Sequence, residues 1–267
     1  RLFQRGEIIT DRMIASLASF GYANVKVAEP PTVAILSTGS EIVSIDKKPG
    51  RDQIRNSNSV MLKVLCERVG ARVKILPQTG DDLNLLKQTI SKAVGLGATR
   101  SKIQNPKSKI LLISGGVSVG KYDLTKPALR ELGAEIFFER VRLRPGKPTV
   151  FGRLNKTLVF GLPGNPVSSA VTFYLFVRMA ILLMQKASDV DLRKASAVLT
   201  APARGAKERD TYYPATLATD RSGRLTATPL GWQGSSDFVG FANADALIVF
   251  PRGDVANAGD VRSIVYL

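Results

Sequence analysis

The segment Leu158-Val159-Phe160-Gly161-Leu162-Pro163-Gly164-Asn165-Pro166-Val167-Ser168-Ser169 orders its residues in a way that lets a backbone bind an anion. Leu158 to Phe160 is a short apolar run that reads as a buried strand, and Val167 to Met184 reads as a strongly apolar helix. Pro166 suits a helix's first turn, where its missing N–H leaves nothing unpaired, and Asn165 is a natural N-cap. The helix's free N–H groups and positive dipole end then face the turn, and Ser168 and Ser169 add hydroxyl donors. An ordinary strand-to-helix turn has the same local form, so this segment needs companions before it implies chemistry.

Those companions exist. Leu143-Arg144-Pro145-Gly146-Lys147-Pro148 is a rigid loop with two cations between prolines, a pattern suited to an oxyanion. Ser114-Gly115-Gly116-Val117-Ser118-Val119-Gly120 follows the apolar run Ile110 to Ile113, and its glycines let the backbone approach a ligand closely. It is neither a Walker A loop nor a dinucleotide GxGxxG. Asp123 follows it, either as the N-cap of a helix over 124–132 or as a functional carboxylate. Ser37-Thr38-Gly39-Ser40-Glu41 follows the apolar run Val33 to Leu36. A Thr/Gly/Ser loop after a buried strand is either a polar turn or a ligand loop at the sheet's carboxyl edge. Gly80-Asp81-Asp82 holds two carboxylates before another helix, and capping accounts for one of them.

Composition narrows the chemistry. The 267 residues are 44% hydrophobic and 22% charged, enough for a sizeable core in more than one domain. With no histidine, imidazole bases, histidine metal ligands and Ser-His-Asp triads are excluded. A single cysteine, Cys66, excludes an internal disulfide and a zinc cluster, and a reducing, cytoplasmic setting is expected. The net charge of +16 favours anionic partners. No zinc finger or RNP-type aromatic motif accompanies it, and nucleic acid is not the expected partner. No signal-peptide pattern opens the chain. The apolar run 167–184 approaches spanning length, but it holds Arg178 and follows directly on a strand and turn, so a core helix is expected.

Stepping along the chain, a helix over 7–20 and a linker ending in Pro30-Pro31 come first. Strands at 33–36, 72–76 and 110–113 then alternate with helices at about 58–69, 82–94 and 124–132. Residues 95–108 read as an exposed loop, 134–142 as a strand, and 149–153 with 157–160 as a hairpin. This predicts an α/β domain over 30–187 with its loops collected at one edge. After 188 only short alternating runs occur, at 196–201, 212–218, 224–229, 245–250 and 261–266, which predicts a small all-β barrel or sandwich over 188–267.

The four loops, in this order, resemble the molybdopterin molybdenumtransferase family, which includes the bacterial enzyme of molybdenum cofactor synthesis and the gephyrin E domain. The resemblance covers nearly the whole chain. It implies a three-layer α/β/α domain followed by a β-barrel. The implied reaction inserts molybdate into adenylylated molybdopterin with release of AMP, assisted by Mg²⁺ or another divalent cation. By resemblance Arg144, Lys147, Pro148 and Ser168 serve molybdate, and Arg209 with Ser235 a second molybdate site in the β-domain. Thr38, Gly39, Gly115, Gly116, Ser118, Pro163, Asn165 and Pro166 would contact the pterin nucleotide. Asp123, Asp81 and Glu41 would be the catalytic and metal-binding carboxylates. The family also implies a homodimer and a partnership with the molybdopterin adenylyltransferase of the same pathway. Three departures stand out. Arg144 replaces the family's usual Lys, Pro214 stands where a second Arg is common, and residues 1–29 match only the end of the family's N-terminal region. A non-catalytic scaffold on the same fold, or an inactive truncated homologue, is the alternative reading.

Overall fold

The structure, a computed structural model, describes residues 2–96, 108–117, 123–232 and 234–267. Helix α1 (Asp11–Ser19) is shorter than the sequence predicts, because Thr10 is extended and its hydroxyl caps the Met13 N–H. None of its residues is buried. The chain continues through β1 (Thr32–Ser37), β2 (Ile42–Val43), β3 (Ile54–Arg55), α2 (Ser57–Arg68), β4 (Arg72–Ile75) and α3 (Leu83–Val94). Next come β5 (Ile110–Ser114), α4 (Thr125–Glu131), β6 (Glu135–Phe138), β7 (Leu143–Arg144), β8 (Val150–Leu154) and β9 (Thr157–Leu162). A continuous helix spans Pro166–Met184. It comprises α5 (Pro166–Thr172), a π-type turn (Phe173–Val177) and α6 (Arg178–Met184). The remainder is β10 (Lys194–Leu199), β11 (Ala203–Arg204), β12 (Asp210–Thr219), β13 (Leu225–Pro229), α7 (Phe238–Phe241), β14 (Ala246–Phe250), β15 (Val255–Ala256) and β16 (Val261–Tyr266).

The first sheet has the order β4-β1-β5-β9-β8-β6. Its first four strands are parallel and β8 turns back against β9 as the predicted hairpin. Period-two alternation divides the side chains between two cores. Ala34, Leu36, Leu111 and Ile113 pack under α3 and α4. Val33, Ile35, Ile110 and Leu112 pack under α2 and the 166–184 helix. Covered on both faces, these strands must be continuously apolar, which is why their sequences read as unbroken runs. The layers are therefore α/β/α. The 166–184 helix is apolar and long enough to cross a membrane, but Val167, Val171, Phe173, Val177 and Ile181 are almost wholly buried inside the protein.

The strand predicted over 134–142 ends at Phe138. A register shift between Ile136 and Phe138 leaves Phe138 opposite Phe151 as its last pair with β8, and a bulge of this kind bends a strand. The chain then enters a loop closed by a hydrogen bond from Val141 N–H to the Lys147 carbonyl, 2.9 Å.

The second sheet, β13-β10-β16-β14-β12, closes through a β12–β13 pairing into a five-stranded barrel. Its interior is filled mainly by Ala197, Ala215, Ala227, Ala246 and Ala256 around Leu199, Ile248, Phe250 and Ile264. Small side chains suit so narrow a barrel. One strand enters from elsewhere in the chain. β7 pairs in parallel with β12, setting Leu143 beside Asp210 and Arg144 beside Thr211.

Candidate functional site

Adjacent strands β1, β5 and β9 end at the same edge, so their turns converge. A Cβ on Gly115 would lie 2.8 Å from the Thr38 carbonyl oxygen, and one on Gly164 would lie 3.8 Å from the Gly115 Cα. Gly115 has φ +95°, so close contact and backbone conformation both demand glycine. Thr125, at the start of α4, braces the same turn. Its hydroxyl donates to the Gly115 carbonyl at 3.2 Å and its N–H to the Gly116 carbonyl at 3.2 Å.

Asn58 ties this edge together. Sequence reasoning takes Asn56-Ser57-Asn58 only as capping residues, and Asn56 indeed caps α2 by accepting from Ser59 N–H. Asn58 lies in the first turn, 8% exposed. Its amide donates to the Ser114 hydroxyl at 2.8 Å and the Gly164 carbonyl at 2.6 Å. Thr38 Oγ1, Asn58 Oδ1 and Ser169 Oγ, all on segments that reach this edge, are buried without a hydrogen-bond partner. Unpaired buried polar atoms are costly.

The carboxylates are sorted by their surroundings. Asp82 is the N-cap of α3, accepting from the Asn84 and Leu85 N–H groups. Asp81 is thereby left over and accepts from the Ser40 hydroxyl at 2.6 Å, joining the loop after β1 to the segment before α3. Glu41 folds back over Gly39, its carboxylate occupying the space a Cβ there would need. Asp123 is not an N-cap: Leu124 holds that position, with no side-chain cap. Ser118 lies outside the described residues. Among the described residues, no three His, Cys, Asp or Glu side chains come close enough to hold a metal ion. Glu41, Asp81 and Asp123 thus form no closed cage. Oxygen-only donors still suit Mg²⁺, which binds through one or two carboxylates together with phosphate oxygens.

The α5 N-terminus sits beside this edge. Pro166 occupies its first turn, and Pro163, Ser168 and Ser169 are buried. Asn165 holds the N-cap position without capping. Its amide instead donates to the Ser235 hydroxyl of the barrel's long loop at 2.7 Å. The cationic loop lies against this helix: a Cβ on Gly146 would strike the Thr172 side chain and come within 3.9 Å of the Ser168 carbonyl. Thr149 closes the loop with a hydroxyl bond to the Gly146 carbonyl at 2.6 Å.

The loop borders a cleft of ≈ 770 Å³ between itself and turns of the barrel, lined by Arg142, Lys147, Lys207, Glu208, Arg209 and Arg252. None of its five cations has an ion-pair partner within 4.0 Å among the described residues. Lys147 and Arg209, assigned to separate anion sites by sequence reasoning, line one cleft. Ser235, paired with Arg209 in that reasoning, is found beside Asn165. Arg144 does not line the cleft; its guanidinium lies over the Trp232 ring, 5.4 Å from the centroid. Arg142, Lys207 and Arg252 escape sequence reasoning, apart from the local concentration of cations over 140–147.

Comparison with known proteins agrees with this architecture. The model of a probable molybdopterin binding domain matches residues 34–182, and that of the MoeA C-terminal region (domain IV) matches 196–265. A molybdopterin molybdenumtransferase from Staphylococcus aureus (strain COL) is 32% identical over 252 residues, covering 94% of this chain and 57% of the relative. The Bacillus subtilis (strain 168) protein of the same name is 33% identical over 252 residues, covering 94% of this chain and 56% of its own length. The chain thus spans a little over half the length of these curated relatives. The crystal structure of a molybdopterin biosynthesis MoeA protein from Pyrococcus horikosii superposes with a TM-score of 0.82 at 28% identity, covering 99% of this chain and 61% of that one. With the α/β/α layers, the convergent loop edge and the C-terminal barrel all in place, the chain belongs to the family of the probable molybdopterin binding domain.

Proposed function

We propose that this chain carries the reaction centre of a molybdopterin molybdenumtransferase, which inserts molybdate into adenylylated molybdopterin and releases AMP. One observation carries the reading: the glycine-lined loop edge adjoins a helix N-terminus, and the loop packed on that helix carries Lys147 into a cleft of cations that make no ion pair among the described residues. The pterin nucleotide would lie along Thr38, Gly39, Gly115, Gly116, Ser118, Pro163, Asn165 and Pro166, where backbone approach is close. Molybdate, a tetrahedral dianion, would be held on the loop shaped by Pro148, by Arg144 and the Ser168 hydroxyl toward the α5 N-terminus with Ser235 beside Asn165, or by Lys147 and Arg209 in the cleft on the loop's other side.

Asp123 would orient the water that attacks the adenylyl phosphorus. The phosphoanhydride then breaks, AMP departs, and the molybdopterin phosphate takes the leaving electron pair. Asp81 and Glu41 would hold the surrounding loops and polarise that water. Asp123, Asp81 or Glu41 would hold Mg²⁺ or another divalent cation, which would supply positive charge against the substrate's phosphates.

Homodimer formation is part of the proposal, supported by the unburied apolar side chains of α1 and its flank, Ile14 and Phe20. So are transfer of substrate from the adenylyltransferase of the same pathway and a cytoplasmic setting. The test is AMP release from adenylylated molybdopterin, with and without molybdate and Mg²⁺. Molybdate-dependent release is expected, and neither binding nor release of the nucleotide would defeat the reading.

A further inference from the structure

Arg144 and Trp232 behave as one unit built on β12. The Arg144 guanidinium carbon lies 5.4 Å from the centroid of the indole ring. The indole meets Tyr213 edge-on, with centroids 5.6 Å apart at 81°. Tyr213 lies on β12, the strand whose Thr211 is the register partner of Arg144. The chain around Trp232 is tied to the same strand: Leu230 N–H donates to the Pro214 carbonyl at 2.9 Å, and Trp232 N–H to the Leu230 carbonyl at 2.6 Å. One strand therefore holds both halves of the stack. Trp232 also packs on the buried cluster of Leu143, Val167, Val171 and Leu247, and Val167 belongs to the first turn of α5. The stack thus stands where the barrel, the cationic loop and the helix N-terminus meet.

Two donors in this unit have no acceptor among the described residues. Trp232 Nε1 is buried without a partner. Arg144 makes no ion pair within 4.0 Å among the described residues. A guanidinium lying over an aromatic ring keeps its in-plane N–H groups free at its edge, where they can bind an oxyanion through two bonds. A lysine ammonium has no plane to stack and no fixed pair of donors. The arginine therefore makes use of the tryptophan in a way that lysine could not.

We infer that Trp232 is a positioning residue for the oxyanion: it holds the Arg144 guanidinium flat, so that its edge is presented to a tetrahedral dianion beside the α5 N-terminus. This rests on the proposal that the site takes molybdate. It makes Arg144 and Trp232 a coupled pair, and it makes the barrel's long loop sense occupancy of the anion site.

The experiment uses the full chain and molybdate alone, with bound anion measured by equilibrium dialysis and fold checked by circular dichroism and thermal midpoint. Losing the stack in Trp232→Leu should weaken molybdate binding about tenfold, while Trp232→Phe, which keeps an aromatic face, should cost about threefold or less. Arg144→Lys should weaken binding to a similar extent in the wild-type background and add little in Trp232→Leu, because the two changes remove one arrangement. Trp232 is the chain's single tryptophan, so its emission should respond to molybdate and cease to respond in Arg144→Ala. Additive effects, or unchanged affinity in a folded Trp232→Leu protein, would overturn the inference. If Arg144→Ala binds normally while Lys147→Ala does not, the inference falls and the molybdate site stands. A wild-type chain that binds no molybdate would remove both.

Discussion

The side-chain amide of Asn58 donates to the carbonyl oxygen of Gly164 at 2.6 Å, joining the first turn of α2 to the turn between β9 and α5. The same nitrogen reaches the Ser114 hydroxyl at 2.8 Å, so a single side chain sets the spacing of the ends of β5 and β9. Asn58→Ala would leave the Gly164 carbonyl without its donor and remove the link. The expected result is a loss of roughly 1–3 kcal/mol in stability, read by denaturant unfolding. Weaker binding of the pterin nucleotide should accompany it. Unchanged nucleotide affinity would limit Asn58 to a structural role.

The five-cation cleft predicts salt-sensitive anion binding. Lys147 and Arg209 line it together, and Lys147 is exposed. Lys147→Ala should raise the molybdate concentration needed for half-saturation about tenfold or more, as expected on losing a charge-assisted contact. Raising ionic strength should weaken the wild type more than the variant, because exposed charges are screened. An unchanged molybdate requirement would move the anion elsewhere.

Asp123 precedes α4 without capping it. Asp123→Asn keeps the side chain's size and its hydrogen-bonding oxygen, so the fold and nucleotide binding should be retained. Turnover should fall about a hundredfold or more, the usual scale for losing a positioned acid–base group. Single-turnover AMP release distinguishes these effects, and equal release by the variant would remove Asp123 from the chemistry.

Burial pushes the Cys66 thiol up to about 12 from its ordinary value of 9.0, with the nearby Glu67 charge adding to the effect. The thiolate is the reactive form, so the folded protein should resist thiol reagents at pH 8 and react only on unfolding. The sign for stability follows from linkage. Below pH 9 the thiol is protonated in both states and contributes no slope. Between 9 and about 12 only the unfolded chain ionises there, so stability falls as pH rises. Cys66→Ser should flatten that alkaline slope in urea titrations. A slope unaltered by the substitution would assign it to other groups.

Much of this architecture is legible in residue order. Val33 to Leu36 and Ile110 to Ile113 are continuous apolar runs because helices cover both sheet faces, and both form central parallel strands. Alternation in the final third marks the five barrel strands, because each has one face on the barrel interior. The ambiguity at Gly80-Asp81-Asp82 is local in the sequence, yet which carboxylate caps is settled by the N–H groups it meets. Asp82 caps, and Asp81 reaches Ser40 on another loop.

Short-range periodicity and turn chemistry sufficed for the alternating elements, the glycine-rich turns after β1, β5 and β9, the helix start at Pro166 and the absence of histidine from any chemistry of this chain. The remaining features depend on pairings between residues far apart in the chain. β7 leaves the first sheet's neighbourhood to pair with β12, which brings Lys147 and Arg209 to one cleft and lays Arg144 on Trp232. Asn165 gives up capping for Ser235 in the barrel's long loop. The physical reason is that hydrogen bonds and charges have no sequence period. A two-residue strand such as Leu143–Arg144 can pair with any available edge, and which edge it meets is set by how the two cores pack.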